Sequence, residues 1–245
     1  MIQVNFLGRL GNNLFQYAFG RILAESMGYA LRSPKISYFN NQIDLQGNVI
    51  QNFIGIDCVN FGYDINNIKA LKNINGIYLQ GFYQRKDYYK DYWKNIKEWF
   101  YLDPSIDAHN ITKDDIVLHI RRGDYKDIKD SCISLDYYLN ILKNTTYDRV
   151  FICTDVITKD MVSTFRDYDV IYYRGSEIED FKFIKQFNKI VMANSTFSWW
   201  ASVLSEASEI YYPSPRKETA HFHPKAYNQD LCLDNFIRID NVETY

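Results

Sequence analysis

The chain has 245 residues, 47% apolar and 24% charged, enough for one large domain or two smaller ones with a true core. A net charge of -2 excludes the broad basic footprint that grips nucleic acid, and 11 Gly with 5 Pro exclude a collagen-like or disordered chain. No apolar run approaches the ~20 residues that span a bilayer, and the first residues lack a secretion signal, so a cytoplasmic protein is expected, with peripheral contact at the inner membrane face left open.

Residues 4–7 predict a short strand, and Gly8-Arg9-Leu10-Gly11-Asn12 a tight turn. Over 13–27, Leu14, Phe15, Ala18, Ile22 and Leu23 recur at helical spacing until Gly28 stops the run. The stretch 34–72 has no ordered pattern. Residues 77–81 predict a strand, and Tyr89, Trp93, Ile96 and Phe100 mark one face of a helix. Asp103-Pro104 and the polar residues to Asp115 form a boundary, which divides the chain into domains over 1–108 and 109–245. Beyond it the pattern alternates. Strands are predicted at 116–121, 150–153, 170–173, 190–193 and 210–212, and helices at 135–143 (capped by Ser134), 159–165, 181–187 and 196–206. Such alternation implies right-handed crossovers and a parallel sheet, a Rossmann-like unit.

In an open parallel sheet, ligands sit beyond the carboxyl ends of the strands. Four groups of polar residues fall there: the 8–12 turn, His119-Ile120-Arg121-Arg122-Gly123-Asp124, Thr154-Asp155, and Asn194-Ser195-Thr196-Phe197-Ser198. His119 and Arg121 share one face of their strand, with Asp124 placed to pair with an arginine so that one guanidinium is held and another is free for a ligand. Guanidinium grips phosphate in a two-pronged fork; the competing reading is a surface Arg–Asp pair of little worth. Ser195 and Thr196 suit either a plain helix cap or an anion site, with Ser198 facing the ligand. Asp155 fits a guanine edge or a ribose diol, or a loop acid. The two glycines of the 8–12 turn match neither the dinucleotide fingerprint nor a P-loop.

The remaining features have bland readings. Cys58, Cys132, Cys153 and Cys232 stand singly and read as buried thiols. Trp199-Trp200 reads as packing beneath the turn. His221-Phe222-His223 lacks a third ligand, and Asp167-Tyr168-Asp169 precedes its strand, so both read as loops and no metal is expected. Aromatic residues reach 17%, with 21 Tyr, which suits sugar faces and core alike.

Gly8-Arg9-Leu10-Gly11-Asn12-Asn13-Leu14-Phe15-Gln16-Tyr17-Ala18, Leu79-Gln80-Gly81-Phe82-Tyr83-Gln84, His119-Ile120-Arg121-Arg122-Gly123-Asp124-Tyr125 and Asn194-Ser195-Thr196-Phe197-Ser198-Trp199-Trp200-Ala201, taken in this order, resemble the bacterial α-1,2-fucosyltransferases of glycosyltransferase family 11. Asn13 stands where Gln is usual, and Thr154-Asp155-Val156 replaces the commoner Ser-Asp-Asp. The resemblance implies a GT-B-type α/β architecture: two Rossmann-like domains, the first on the acceptor side and the second binding the GDP-sugar, with the donor site in the cleft between them. It implies GDP-β-L-fucose as donor substrate, no cofactor or metal, and inverting transfer to O-2 of a galactose-containing glycan acceptor of the polysaccharide or O-antigen type. Arg121 would hold the β-phosphate and, with Asn12 and Asp124, form the catalytic set. Gly11, His119, Arg122, Asp155, Ser195, Thr196 and Ser198 would complete the donor site. The alternatives are a fucosyltransferase of another linkage or acceptor, a metal-dependent sugar transferase using Asp167 and Asp169, and a non-catalytic carbohydrate-binding protein.

Overall fold

A computed structural model describes residues 1–39, 42–43, 54–58, 65–70, 76–103, 109–223 and 231–245. Its contacts divide the chain into two units, Met1–Leu102 with Tyr227–Leu231, and Asp103–Ala226 with Cys232–Tyr245.

The first unit contains β1 (Ile2–Val4), α1 (Leu10–Met27), β2 (Leu31–Arg32), β3 (Ile54–Cys58), α2 (Ile65–Lys69), β4 (Ile77–Gly81) and α3 (Trp93–Trp99). Its sheet runs β2-β1-β4-β3 with every ladder parallel. The first strand lies earlier than its expected span of 4–7. Leu7 is lost to the strand because its amide and carbonyl are taken by Gln16, whose Oε1 accepts from Leu7 N at 3.1 Å and whose Nε2 donates to Leu7 O at 3.3 Å. The helix starts three residues sooner than expected: buried Leu10 draws the turn inward, and Asn13 N donates to Arg9 O at 3.0 Å. β2 follows the Gly28 stop where no strand is expected, and β3 falls in the 34–72 stretch that has no ordered pattern.

The second unit contains β5 (Ile116–Ile120), α4 (Leu135–Asn144), β6 (Val150–Thr154), α5 (Lys159–Thr164), β7 (Val170–Tyr173), α6 (Glu177–Ile184), β8 (Lys189–Val191), α7 (Thr196–Val203), β9 (Glu209–Pro215) and β10 (Ile237–Val242). Its sheet order is β10-β9-β8-β5-β6-β7, again all parallel. Every residue of β5 and β6 is buried, as strands covered on both faces require. The cap at Ser134 forms, its hydroxyl accepting from Asp136 N at 3.3 Å. Helix α6 begins four residues before the expected 181 because Glu179 Oε2 accepts from Ser176 N at 2.7 Å, a capping box that starts the helix ahead of its apolar stripe. The two units are thus mixed α/β with parallel sheets, the expected class.

Strand order fixes where a ligand belongs. In the second sheet the chain moves outward from β5 through β6 to β7, then returns to the other side of β5 as β8. In the first it moves from β1 to β2, then returns beside β1 as β4. The carboxyl ends of β5 and β8, and of β1 and β4, therefore flank the switch points where such sheets open a crevice.

Candidate active site

At the end of β5, Arg121 is held from several sides. Its Nη2 donates to Asp124 Oδ1 at 2.6 Å, and its Nη1 pairs with Asp155 Oδ2, from the end of β6, at 3.0 Å. Its guanidinium carbon stands 5.5 Å over the Tyr125 ring. Tyr125 in turn bonds Ser195, the residue that opens α7 after β8; burial raises the phenol's pKa, and that bond with the Arg121 charge works against the rise. Residues from the ends of β5, β6 and β8 thus meet around one cation, which keeps 17% of its side chain exposed. Gly123 makes this possible. A Cβ there would stand 2.5 Å from Asp155 Oδ2.

His119 is 5% exposed, with its ring 5.6 Å from that of Phe197 and its Nδ1 without a hydrogen-bond partner among the described residues. Burial, helped by the Arg121 charge, pushes its pKa down to about 4, against the pull of Asp155, so the imidazole is neutral at pH 7. Thr196 is the half-buried first residue of α7.

The structure redirects several expected donor contacts. Arg122 does not face a ligand: it is 1% exposed, its Nη1 donates to Ile133 O at 2.8 Å, and its guanidinium lies 5.2 Å from the Tyr245 ring. Ser198 is wholly buried and turns back into the β8–α7 turn, where its hydroxyl accepts from Ala193 N at 3.2 Å. Asp155 spends one oxygen on Arg121 and the other on the amide of Arg122, at 3.0 Å, so both of its oxygens already have partners within the protein. Asp124 likewise pairs with Arg121. Gly11 lies buried in the first turn of α1 instead of exposing its backbone.

At the first unit's switch point the side chains are amides. Gln84 Nε2, just past β4, donates to Asn12 Oδ1 at 2.9 Å. Asn12 packs against Gly8, whose φ of +80 and missing side chain leave it that space. Gln16 Nε2 donates to Gly81 O at 2.9 Å, and Asn13 Nδ2 to Gln16 Oε1 at 3.2 Å, which fixes the loop ends on α1.

Other candidates fall away. Asp167 lies in a turn before β7 with its side chain 82% exposed, and Asp169 is exposed beside it, far along the strand from the carboxyl ends. Among the described residues no group of three His, Cys, Asp or Glu is placed to hold a metal ion, and no described helix is long and apolar enough to cross a membrane. Trp199 and Trp200 are fully buried, edge to face at 5.0 Å, and serve as packing. Cys132 and Cys153 are buried free thiols and Cys232 is half-buried, while the Cys58 side chain lies outside the described residues.

Three participants lie outside the expected site residues. Tyr125 sits two residues past Gly123 with nothing to mark its bond to Ser195. Asp180, in the first turn of α6, accepts from Gly175 N at 2.7 Å; burial raises its pKa to about 6, with Cys153 and Asp155 close by. His221 stacks on Tyr125 at 5.8 Å. In the sequence Tyr125 closes one of the four motifs and His221 belongs to the His-x-His pair read as a loop, while the signal for Asp180 is its position at a helix start following β7.

Residues 1–240 match the profile of Glycosyl transferase family 11. No curated protein sequence matches the chain. Among solved structures it is similar to a mutant of Arabidopsis thaliana FUT1 in complex with GDP, with a TM-score of 0.58 at 10% identity over 86% of this chain and 70% of that one. NodZ fucosyltransferase from Bradyrhizobium gives a TM-score of 0.54 at 14% identity, over 83% and 93%. NodZ α-1,6-fucosyltransferase soaked with GDP-fucose gives 0.50 at 13%, over 83% and 92%. At such identities these likenesses speak for the fold, and it is the profile, spanning nearly the whole sequence, that decides the family. The chain belongs to glycosyl transferase family 11, and it is a glycosyltransferase.

Proposed function

We propose that the protein transfers L-fucose from GDP-β-L-fucose to a galactoside hydroxyl, O-2 in an α-1,2 linkage, with inversion and without a metal ion. The observation that carries this reading is Arg121, a guanidinium fixed at the switch point of the second sheet by two carboxylates, beside the start of α7. Rupture of the sugar's C1–O bond builds negative charge on the departing β-phosphate. A cation already in place meets that charge without reorganising, and one such donor is worth about 3–4 kcal/mol. Two of the guanidinium's five N–H groups face carboxylates, which holds the others in a fixed direction for phosphate. The first amides of α7 add the positive end of a helix dipole. His119, neutral and buried, contributes a hydrogen-bonding nitrogen for the guanosine. Asn12, oriented by Gln84, binds a sugar hydroxyl. The fucosyl donor is supported by the resemblance of the four motifs and by the GDP and GDP-fucose of the similar structures. A cytoplasmic site of action, on a polysaccharide or O-antigen acceptor, completes the proposal.

The test is incubation with GDP-fucose and a panel of galactosides, with and without EDTA, followed by linkage analysis. The expected product has fucose on O-2 and forms equally in EDTA. Fucose on O-6 would replace the linkage, loss of transfer in EDTA would replace the mechanism, and calorimetry showing sugar binding without GDP binding would overturn the reading.

A further inference from the structure

The turn over residues 217–223 lies outside the strand ends, yet it grips the segment that carries Arg121 at two places. Lys217 Nζ donates to Asp130 Oδ1 at 2.6 Å and Thr219 Oγ1 to Asp130 Oδ2 at 2.7 Å, so both oxygens of a carboxylate only 4% exposed are engaged. Closer to the arginine, the His221 ring stacks on that of Tyr125 at 5.8 Å and 19°. The turn is itself rooted in the core. Ala220 and Phe222 are buried, and the Phe222 ring lies on Tyr212 of β9 at 5.3 Å and 3°. A rigid body therefore reaches Tyr125 from one side while Ser195 bonds its hydroxyl from another.

The two carboxylates set the direction of the Arg121 guanidinium while both contacts hold, but each contact is single, and as they break and re-form the group can turn about its Nε–Cζ bond. An aromatic ring beneath the cation removes that freedom, provided the ring cannot move. Here it cannot: Tyr125 lies in a short 3-10 turn, Asp124–Asp127, and His221 backs it. We propose that the 217–223 turn is a positioning brace for Arg121: His221 backs Tyr125 beneath the guanidinium, and Lys217, through Asp130, ties the turn to the segment that carries Tyr125, so that the guanidinium is held in one orientation. Its consequence for catalysis rests on the reading of Arg121 as the phosphate-binding cation; the restraint on the side chain stands without it.

The test is nitrogen-15 NMR of arginine side chains in the full chain, before any nucleotide is added. The Arg121 signals are identified by their disappearance in Arg121→Lys. Rotation about its Nε–Cζ bond is expected to be slow in the natural protein, faster by about tenfold in His221→Ala, and slow again in His221→Phe, which keeps a ring in place. Kinetics add a second readout. His221→Ala is expected to raise KM for GDP-fucose about three- to tenfold, and to add nothing in the Arg121→Lys background, because coupled residues do not act additively. Unchanged rotation in His221→Ala, or failure of His221→Phe to restore it, overturns the brace. If the natural protein binds no GDP while rotation is released as expected, the functional reading falls and the brace stands. If His221→Ala does not fold, Lys217→Met is measured in the same way: faster rotation upholds the brace, and unchanged rotation overturns it.

Discussion

Arg121 and Arg122 are neighbours of equal charge, but Arg121 lies among carboxylates at the rim of the site, whereas Arg122 is enclosed between a carbonyl and the Tyr245 ring. Replacing each should therefore fail differently. Arg121→Ala is expected to lower kcat by at least about a hundredfold with the fold intact, since it removes a charge that matters most as the phosphate departs. Arg122→Ala should instead cost about 2–4 kcal/mol in urea unfolding, because it empties a filled interior position, and should leave KM for GDP-fucose within about twofold. The sequence marks the arginine pair but does not rank its members. Alternation along a strand tells neighbours apart only up to the last paired residue, Ile120, and Gly123 then turns the chain. Ser198 escapes for a similar reason: a hydroxyl in the first turn of a helix can point outward or back to the preceding turn, and nothing in its neighbours' names decides.

Among elements, the strand-to-loop junctions bear the chemistry, and backbone fit limits them. Gly123→Ala places a methyl group against Asp155, whose carboxylate holds both Arg121 and the Arg122 amide. The expected result is kcat lower by about ten- to a hundredfold, the scale of a roughly 1 Å misplacement, read in steady-state kinetics beside a thermal melt that shows the protein folded. Elements with strong period are readable: the buried runs of β5 and β6, and the apolar face of α4 behind Ser134. Those without it are not. β10 is mostly exposed along Ile237–Val242, and although Ile237 and Ile239 alternate with Arg238 and Asp240, the run is too short to stand out, so β9 is the last strand the sequence predicts. The apolar stripe alone places α6 too late, because the helix's first turn is written in capping chemistry, Ser176 and Glu179, ahead of Phe181.

For the whole molecule, two titrations shifted by burial oppose each other below neutrality. His119 binds its proton at about 4 when folded against 6.5 as a free side chain. Stability from its neutral form is complete above 6.5 and is lost as pH falls toward 4, by up to ~3 kcal/mol. Asp180 titrates at about 6 instead of 3.8, so its protonated form favours the fold, and its contribution grows as pH falls through the same window. His119→Asn is expected to flatten the acid side of the stability profile, and Asp180→Asn to steepen it, in urea titrations at pH 6.5 and 4. The broad plan is legible because strands and helices alternate after residue 115; the first unit is less so, since residues 34–72 hold short elements with no apolar period. In the second unit, Arg149, just before β6, donates to the carbonyls of His109 (3.2 Å) and Asn110 (2.8 Å) and to the Asp115 carboxylate (2.6 Å), while the His109 ring meets Phe151, Tyr173 and Phe183 edge-on within 6 Å. Anyone cutting the gene to express this half alone must keep His109, because a start even two codons later strips the guanidinium of two acceptors and uncovers an aromatic nest.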